Sequence, residues 1–352
     1  MRWILRLLVV LAVAIGLVLL LIPAPIDAVA WQPDPNPGLV GQFAANDQLV
    51  GVPLLLDGVG AGPEDVACGP GGVLYTGLAD GRILKFSSKG DPRELANTGG
   101  RPLGMQLDAA GRLIVADAER GLLAVSSRGV IEVLTDTVNG SKMLFADDLD
   151  IAADGTIWFS DASTRFGYHN TIYSFLEGRP TGRLLSYDPA SGKTRVHLED
   201  LFFANGVALG PNDSYVLVNE TGAGRIMRLW LTGERAGQHD TFYAGLPGTP
   251  DNISFNGRDT FWVAMPSLRA GIDTMADQPL LRNLLSRLPL ATLQKVAVPY
   301  SFVVGLNLAG EVIHNLQDTA AGFNNITSAN ECAGALYLGS LTMPAVARYP
   351  LR

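Results

Sequence analysis

Four oxygen-bearing side chains recur in one register. Glu64, Asp147, Asn205 and Asp251 each stand eleven residues before the centre of a β-rich run: VLYTG at Tyr75, IWFSD at Trp158, YVLVN at Val216 and FWVAM at Trp262. Asp65, Asp148 and Asn252 directly follow three of them. One Asx residue before a strand is ordinary turn chemistry. Four acids and amides in equal register point instead to oxygens that meet. Hard oxygens of mixed charge suit Ca²⁺, which takes roughly six to eight of them. Cys and His are absent from the set, which disfavours zinc or copper.

Such a register needs repeating elements to hold it. Six β-rich runs are present, the four above plus LIVAD at Ile114 and LYLGS at Tyr337. Each follows a tight turn (GPGG, AAGR, ADGT, PNDS, NGRD, CAGA), and several lead through a Gly-rich step into another strand, as in ADGRILKF and GAGRIMRLW. This is hairpin grammar at a propeller-like period. It predicts an all-β, six-bladed β-propeller over 51–352, with the four side chains opening the innermost strands and converging on the axis. The matching positions in the other two units are apolar, Leu103 and Ile326. Two insertions interrupt the period. One runs from Phe166 to Arg179. The other is a short helical insertion at about 275–296, in which Leu281, Leu284, Leu285 and Leu288 share a face and Arg282 and Arg287 are expected on the opposite one.

The rest of the composition bounds partners and location. A net charge of −8 argues against nucleic acid and fits a cation site. The apolar run from Ile4 to Ile22, flanked by Arg2 and Arg6, predicts a transmembrane signal-anchor over 1–24. The positive flank keeps the short N-terminus cytoplasmic and places the propeller on the non-cytoplasmic side. The alternative is a signal peptide cleaved near Ala28-Val29-Ala30, giving a secreted protein. Residues 25–50 read as a Pro-rich tether. Cys68 and Cys332 fall in the first and last units, which are neighbours in a closed ring. They would either latch it or remain two thiols, because equivalent positions in adjacent blades are often too far apart to bridge.

The stretches EGRPTGRLLSYDPASGKT, DLFFANGVALGPNDSYVLVNET, GLPGTPDNISFNGRDTFWVAMPS and ITSANECAGALYLGS resemble the strictosidine synthase-like family, which includes a membrane-associated member and is related to paraoxonases and the SMP-30/gluconolactonase group. The resemblance covers about residues 50–350. It implies a catalytic calcium held by Glu64, Asn205 and Asp251, joined by Asp147, where the paraoxonase site has an asparagine, and by Asn252. Two departures narrow the chemistry. The glutamate that strictosidine synthase needs is replaced by Thr327, which argues against Pictet–Spengler synthase activity. The paraoxonase histidine of the second blade is replaced by Leu103, and His169, His197, His239 and His314 lie elsewhere. The resulting expectation is a membrane-anchored, calcium-dependent hydrolase acting on a small-molecule lactone or ester. Its base would be a carboxylate: Asp148 by preference, otherwise Asp147 or Asp251. The alternative is a non-enzymatic, membrane-anchored propeller with structural calcium that binds a protein or small-molecule partner.

Overall fold

Each β-rich run becomes the second strand of a blade. Tyr75, Ile114, Trp158, Val216, Trp262 and Tyr337 lie in Val73–Gly77, Leu113–Asp117, Ile157–Asp161, Tyr215–Glu220, Thr260–Ala264 and Ala335–Ser340. The structure, a computed structural model, describes residues 3, 6, 16, 21–293 and 298–351, with backbone alone at 270 and 272. The apolar run expected to span a membrane lies almost wholly outside them. Among the described residues no helix is long and apolar enough to cross a membrane.

Six four-stranded antiparallel sheets are present among the described residues. Their innermost strands are Val66–Cys68, Pro102–Leu107, Ala146–Ile151, Ala204–Leu209, Ile253–Phe255 and Ile326–Cys332. Each touches the inner strand of the next blade, and the last touches the first, so the ring is closed. Five blades are built from consecutive strands. The sixth takes its outermost strand, Leu54–Leu55, from the start of the propeller and pairs it with Val346 and Ala347 near the end. Cys68 and Cys332 form a disulfide with Cα atoms 6.0 Å apart, which resolves the open question of the two cysteines. The bridge is possible because the inner strands of blades one and six are direct neighbours and both cysteines sit at the ends of those strands.

The core lies between blades. One apolar layer fills each junction, for example Phe261 with Phe302 and Leu217 between blades four and five, and Trp262 with Leu336 between blades five and six. Second strands buried on both faces read as continuous apolar runs, which is why LIVAD and TFWVA carried so strong a signal. Truncating one of these side chains to Ala would cost about 2–5 kcal/mol.

Both insertions sit at one end of the channel. The first, containing helix Thr171–Glu177, joins the second and third strands of blade three; the second, containing helix Pro279–Leu285, joins those of blade five. The two helices pack together. Residues 25–50, read as a tether, are fastened down. Asp27 N–H donates to Glu177 Oε1 (2.8 Å) and Val29 N–H to the Glu177 carbonyl (2.8 Å). Further along, Phe43 and Leu49 are buried against blades four to six.

Arg282 overturns the expected direction of its helix. Its guanidinium is fully buried and donates to the carbonyls of Met275, Leu176, Val29 and Ala276 while stacking 4.4 Å from the Trp31 ring. A buried guanidinium is tolerable when its donors find acceptors. This one anchors the N-terminal strap (Ile26–Trp31) to both insertions.

Candidate metal centre

The sequence register becomes a spatial one because inner strand, turn and second strand are short in every blade. Glu64, Asp147, Asn205, Asp251 and Asn252 are all buried, at the channel end covered by the insertions. Asn252 Nδ2 reaches across from blade five to Glu64 of blade one, 3.2 Å from Oε1 and 3.4 Å from Oε2. Asn205 lies beside the Asp251 carboxylate and favours its ionised form. The chain path leaves no slack at this point. Gly206 N–H donates to the Asp251 carbonyl (3.1 Å), and a Cβ on Gly206 would meet the backbone of Asp251 to Ile253.

The carboxylates feel one another. Burial first, then the charges of Asp251, Asp65 and Asp147, push Glu64 well above the usual carboxylate range. Burial and Asp251 do the same to Asp147. Burial raises Asp251 to about 7, against the lowering effect of Asn205.

Among the described residues no three His, Cys, Asp or Glu side chains form a metal-holding group by themselves. The axial set mixes carboxylates with amides, and the amides supply the test of fit. Asn205 Oδ1 and Asn252 Oδ1 are buried acceptors with no hydrogen-bond partner. Unpaired buried acceptors are costly and call for an explanation. A hard cation is the partner that two amide oxygens among three carboxylates would accept.

A nearby guanidinium, Arg101, escaped the sequence reading. It is 1% exposed, donates from Nη1 to the Gly62 carbonyl (2.8 Å), and leaves Nε and Nη2 without acceptors. Its charge opposes the upward shifts of Glu64 and Asp147. The available signal was an arginine two residues before Leu103, at the mouth of an otherwise apolar inner strand.

Asp148 does not face the same group. Between Ala146 and Leu149 the inner strand carries one extra residue relative to its partner, a bulge of the kind that re-aims side chains near sites. Asp148 Oδ2 accepts the Val207 N–H of blade four (2.8 Å). Asp65 is used similarly, accepting the Met105 N–H (3.0 Å) and the Asn330 amide (2.7 Å). These two acids tie neighbouring inner strands together, and the charge of Asp65 helps burial raise Asp148. The preferred base is thus engaged in a blade-to-blade bond, while Asp147 and Asp251 remain with the unpaired amides.

Beside the acids lies a packed apolar cluster. Leu103 is buried with Phe145, Phe202 and Phe203, and Trp31, Tyr168 and Phe175 pack on them. Tyr168 lies 5.7 Å from the Arg101 guanidinium. The four histidines are elsewhere: His197, His239 and His314 on outer strands, and His169 at the surface beside Glu119. Thr327 is buried and donates to the Glu64 carbonyl (2.6 Å).

A six-bladed propeller with an axial carboxylate–amide cluster has the architecture of the gluconolactonase-like structures. A Xanthomonas campestris gluconolactonase superposes with a TM-score of 0.63 at 16% identity, covering 93% of this chain and 97% of that one. A calcium-binding protein, regucalcin, from Agrobacterium tumefaciens gives 0.55 at 13% identity, covering 85% and 95%. At these identities the likeness is one of fold. Sequence carries the closer kinship. The Strictosidine synthase profile matches residues 147–234, and the Strictosidine synthase-like, N-terminal profile matches residues 41–86. Protein STRICTOSIDINE SYNTHASE-LIKE 4 of Arabidopsis thaliana is 33% identical over 336 residues, 93% of this chain and 88% of that protein. The adipocyte plasma membrane-associated protein of Rattus norvegicus is 33% identical over 373 residues, 99% of each chain. The chain belongs to the strictosidine synthase-like family.

Proposed function

We propose that this protein is a membrane-anchored, calcium-dependent hydrolase of lactones or esters. The observation that carries the reading is the pair of unpaired amide oxygens, Asn205 Oδ1 and Asn252 Oδ1, buried among Glu64, Asp147 and Asp251 beside an apolar cluster. Glu64, Asp147, Asn205, Asp251 and Asn252 would hold the ion, which when bound polarises a carbonyl and stabilises the developing oxyanion. The apolar cluster would help desolvate the acyl group. Asp251 or Asp147, carboxylates beside the ion, would take the proton from the attacking water. Thr327, where strictosidine synthase needs a glutamate, supplies no acid for a condensation.

The anchor is supported by the name of the plasma membrane-associated relative and by the strap. Cleavage after Ala30 would remove the Asp27 and Val29 N–H groups that Glu177 accepts, leaving it only Arg165, and would take the Val29 carbonyl from the Arg282 cage.

One observation favours the non-enzymatic alternative: the second-blade position beside the acids is Leu103, packed in the apolar cluster, and the four histidines lie elsewhere. A panel of lactones and aryl esters assayed with calcium and with chelator separates the two. Chelator-sensitive turnover supports the hydrolase. Tight calcium binding with no turnover across the panel supports a structural ion.

A further inference from the structure

Helix Pro279–Leu285 is amphipathic in the wrong sense for a globular surface. Its inward positions are Arg282 and, one turn on, Ser286, both essentially inaccessible, whereas Leu280 is 84% exposed and Leu281 38%. The rotation is fixed by Arg282, whose four carbonyl acceptors come from the strap, from helix Thr171–Glu177 and from the loop before its own helix. With residue 282 held inward, 280 and 281 must point out. Two leucines left in water forfeit the transfer free energy that burial would return. The helix therefore presents a leucine face without a protein partner among the described residues.

The chain itself indicates what covers this face. The strap runs along the same helix: Ala28 N–H donates to Asn283 Oδ1 (3.2 Å), and Arg287 Nε donates to the Ile22 carbonyl (2.6 Å). Leu21, 84% exposed, is thus the first position of the continuous described chain, beside the helix, and the run before it is apolar back to Leu7. Arg287 rims the leucines as a cation whose stem can lie along apolar surface while its head meets phosphate. We infer that Leu280 and Leu281 rest in the interfacial layer of the lipid bilayer that the run Ile4–Ile22 enters, holding the insertion-covered end of the propeller against the membrane. This rests on the anchored reading above and goes beyond it: a membrane anchor alone would leave the propeller free to tumble at the end of its chain.

The test uses the full chain in phosphatidylcholine vesicles. Leu280→Cys and, separately, Leu281→Cys are labelled with an environment-sensitive fluorophore; the two native cysteines are bridged to each other and do not compete. Leu308→Cys is the control. It is 40% exposed and follows the strand end Asn307, which pairs with Thr260 at the far end of blade five from Asp251. Spin-labelled lipid is then added, and melting temperatures confirm folding. The expected result is quenching several-fold stronger at positions 280 and 281 than at 308. Equal quenching at all three positions in protein that floats with the vesicles overturns the contact and leaves the anchor standing. Protein that does not float overturns both. Disulfide cross-linking between copies through position 280, without lipid quenching, overturns the contact in favour of a second copy on the leucine face.

Discussion

Asn252 and Glu64 lie 188 residues apart in the chain, yet the amide of one sits 3.2 Å from the carboxylate of the other across the propeller axis. With its nitrogen committed to Glu64, the Asn252 oxygen is turned free into the acid cluster. Asn205 Oδ1, beside Asp251, is a second buried amide oxygen without a partner among the described residues. The Asn252 amide is oriented by a carboxylate so that its oxygen can serve a cation.

Ligand removal should be read first by calorimetry. Asp251→Ala and Asn252→Ala are expected to weaken calcium binding at least as much as the roughly 10–100-fold that loss of an outer-shell partner costs. Affinity equal to wild type in both would remove the ion from the axis.

Stability without metal should depend on pH in a defined direction. Asp251 is raised from 3.8 to about 7, and Glu64 and Asp147 also shift upward. A raised carboxylate contributes stability below its unfolded pKa and loses it as pH climbs through the folded value. In chelator, the melting temperature should therefore fall between about pH 4 and pH 7 and beyond. Added calcium, which binds the ionised form, should flatten that fall. Arg101→Met should extend the loss to higher pH and deepen it, since its charge no longer favours ionised Glu64 and Asp147. A melting temperature in chelator that rises over this window would contradict the buried-acid arrangement.

Asp147 and Asp148 should separate cleanly. Asp148→Asn weakens the acceptor of the Val207 N–H and should cost stability, on the order of 1–3 kcal/mol, while leaving turnover largely intact. Asp147→Asn retains an oxygen ligand and should bind calcium. If Asp147 shares the base role, it should cut turnover by about 10²–10⁴-fold. Lactone turnover together with urea unfolding reads both; the reverse pattern would return the base to Asp148.

The Cys68–Cys332 bridge spans 264 residues of sequence. Cys68→Ser with Cys332→Ser should destabilise the propeller by about 2–5 kcal/mol, mainly by freeing the unfolded chain. Thiol titration of unreduced, denatured wild type should find none; two reactive thiols would show the latch is absent.

Much of the site was legible because geometry preserved the count. An inner strand, a tight turn and a second strand occupy nearly constant length, so eleven residues of sequence bring Glu64, Asp147, Asn205 and Asp251 to one end of the channel. The direction of Asp148 was half legible: alternation turns a residue one step from Asp147 to the other face, into a blade-to-blade contact, and Asp148 accepts the Val207 N–H there, though the bulge after Ala146 was not foreseen. Arg101 was hidden for a different reason: it lies outside the repeat, and its worth comes from acids in other blades. Arg282 misled, since leucine spacing assigns a core face without knowing that four carbonyls stand ready for a guanidinium. An acid closing each of three second strands was also passed over. Asp117, Asp161 and Glu220 accept the N–H groups of Arg101, Phe145 and Phe202, pinning the entry to each inner strand.

The sixth blade draws its outer strand from Leu54–Leu55 and its other three from Ile326 onward. During synthesis, then, the first strand made waits for the last. Until Ile326–Cys332 leaves the ribosome, the growing chain is an open arc whose first inner strand lacks its neighbour in blade six and whose Cys68 has no mate. Val346 and Ala347 follow last and give Leu54–Leu55 its partner. A nascent chain paused before Ile326 would expose an unpaired strand edge and a free thiol, and would be the form that quality control meets.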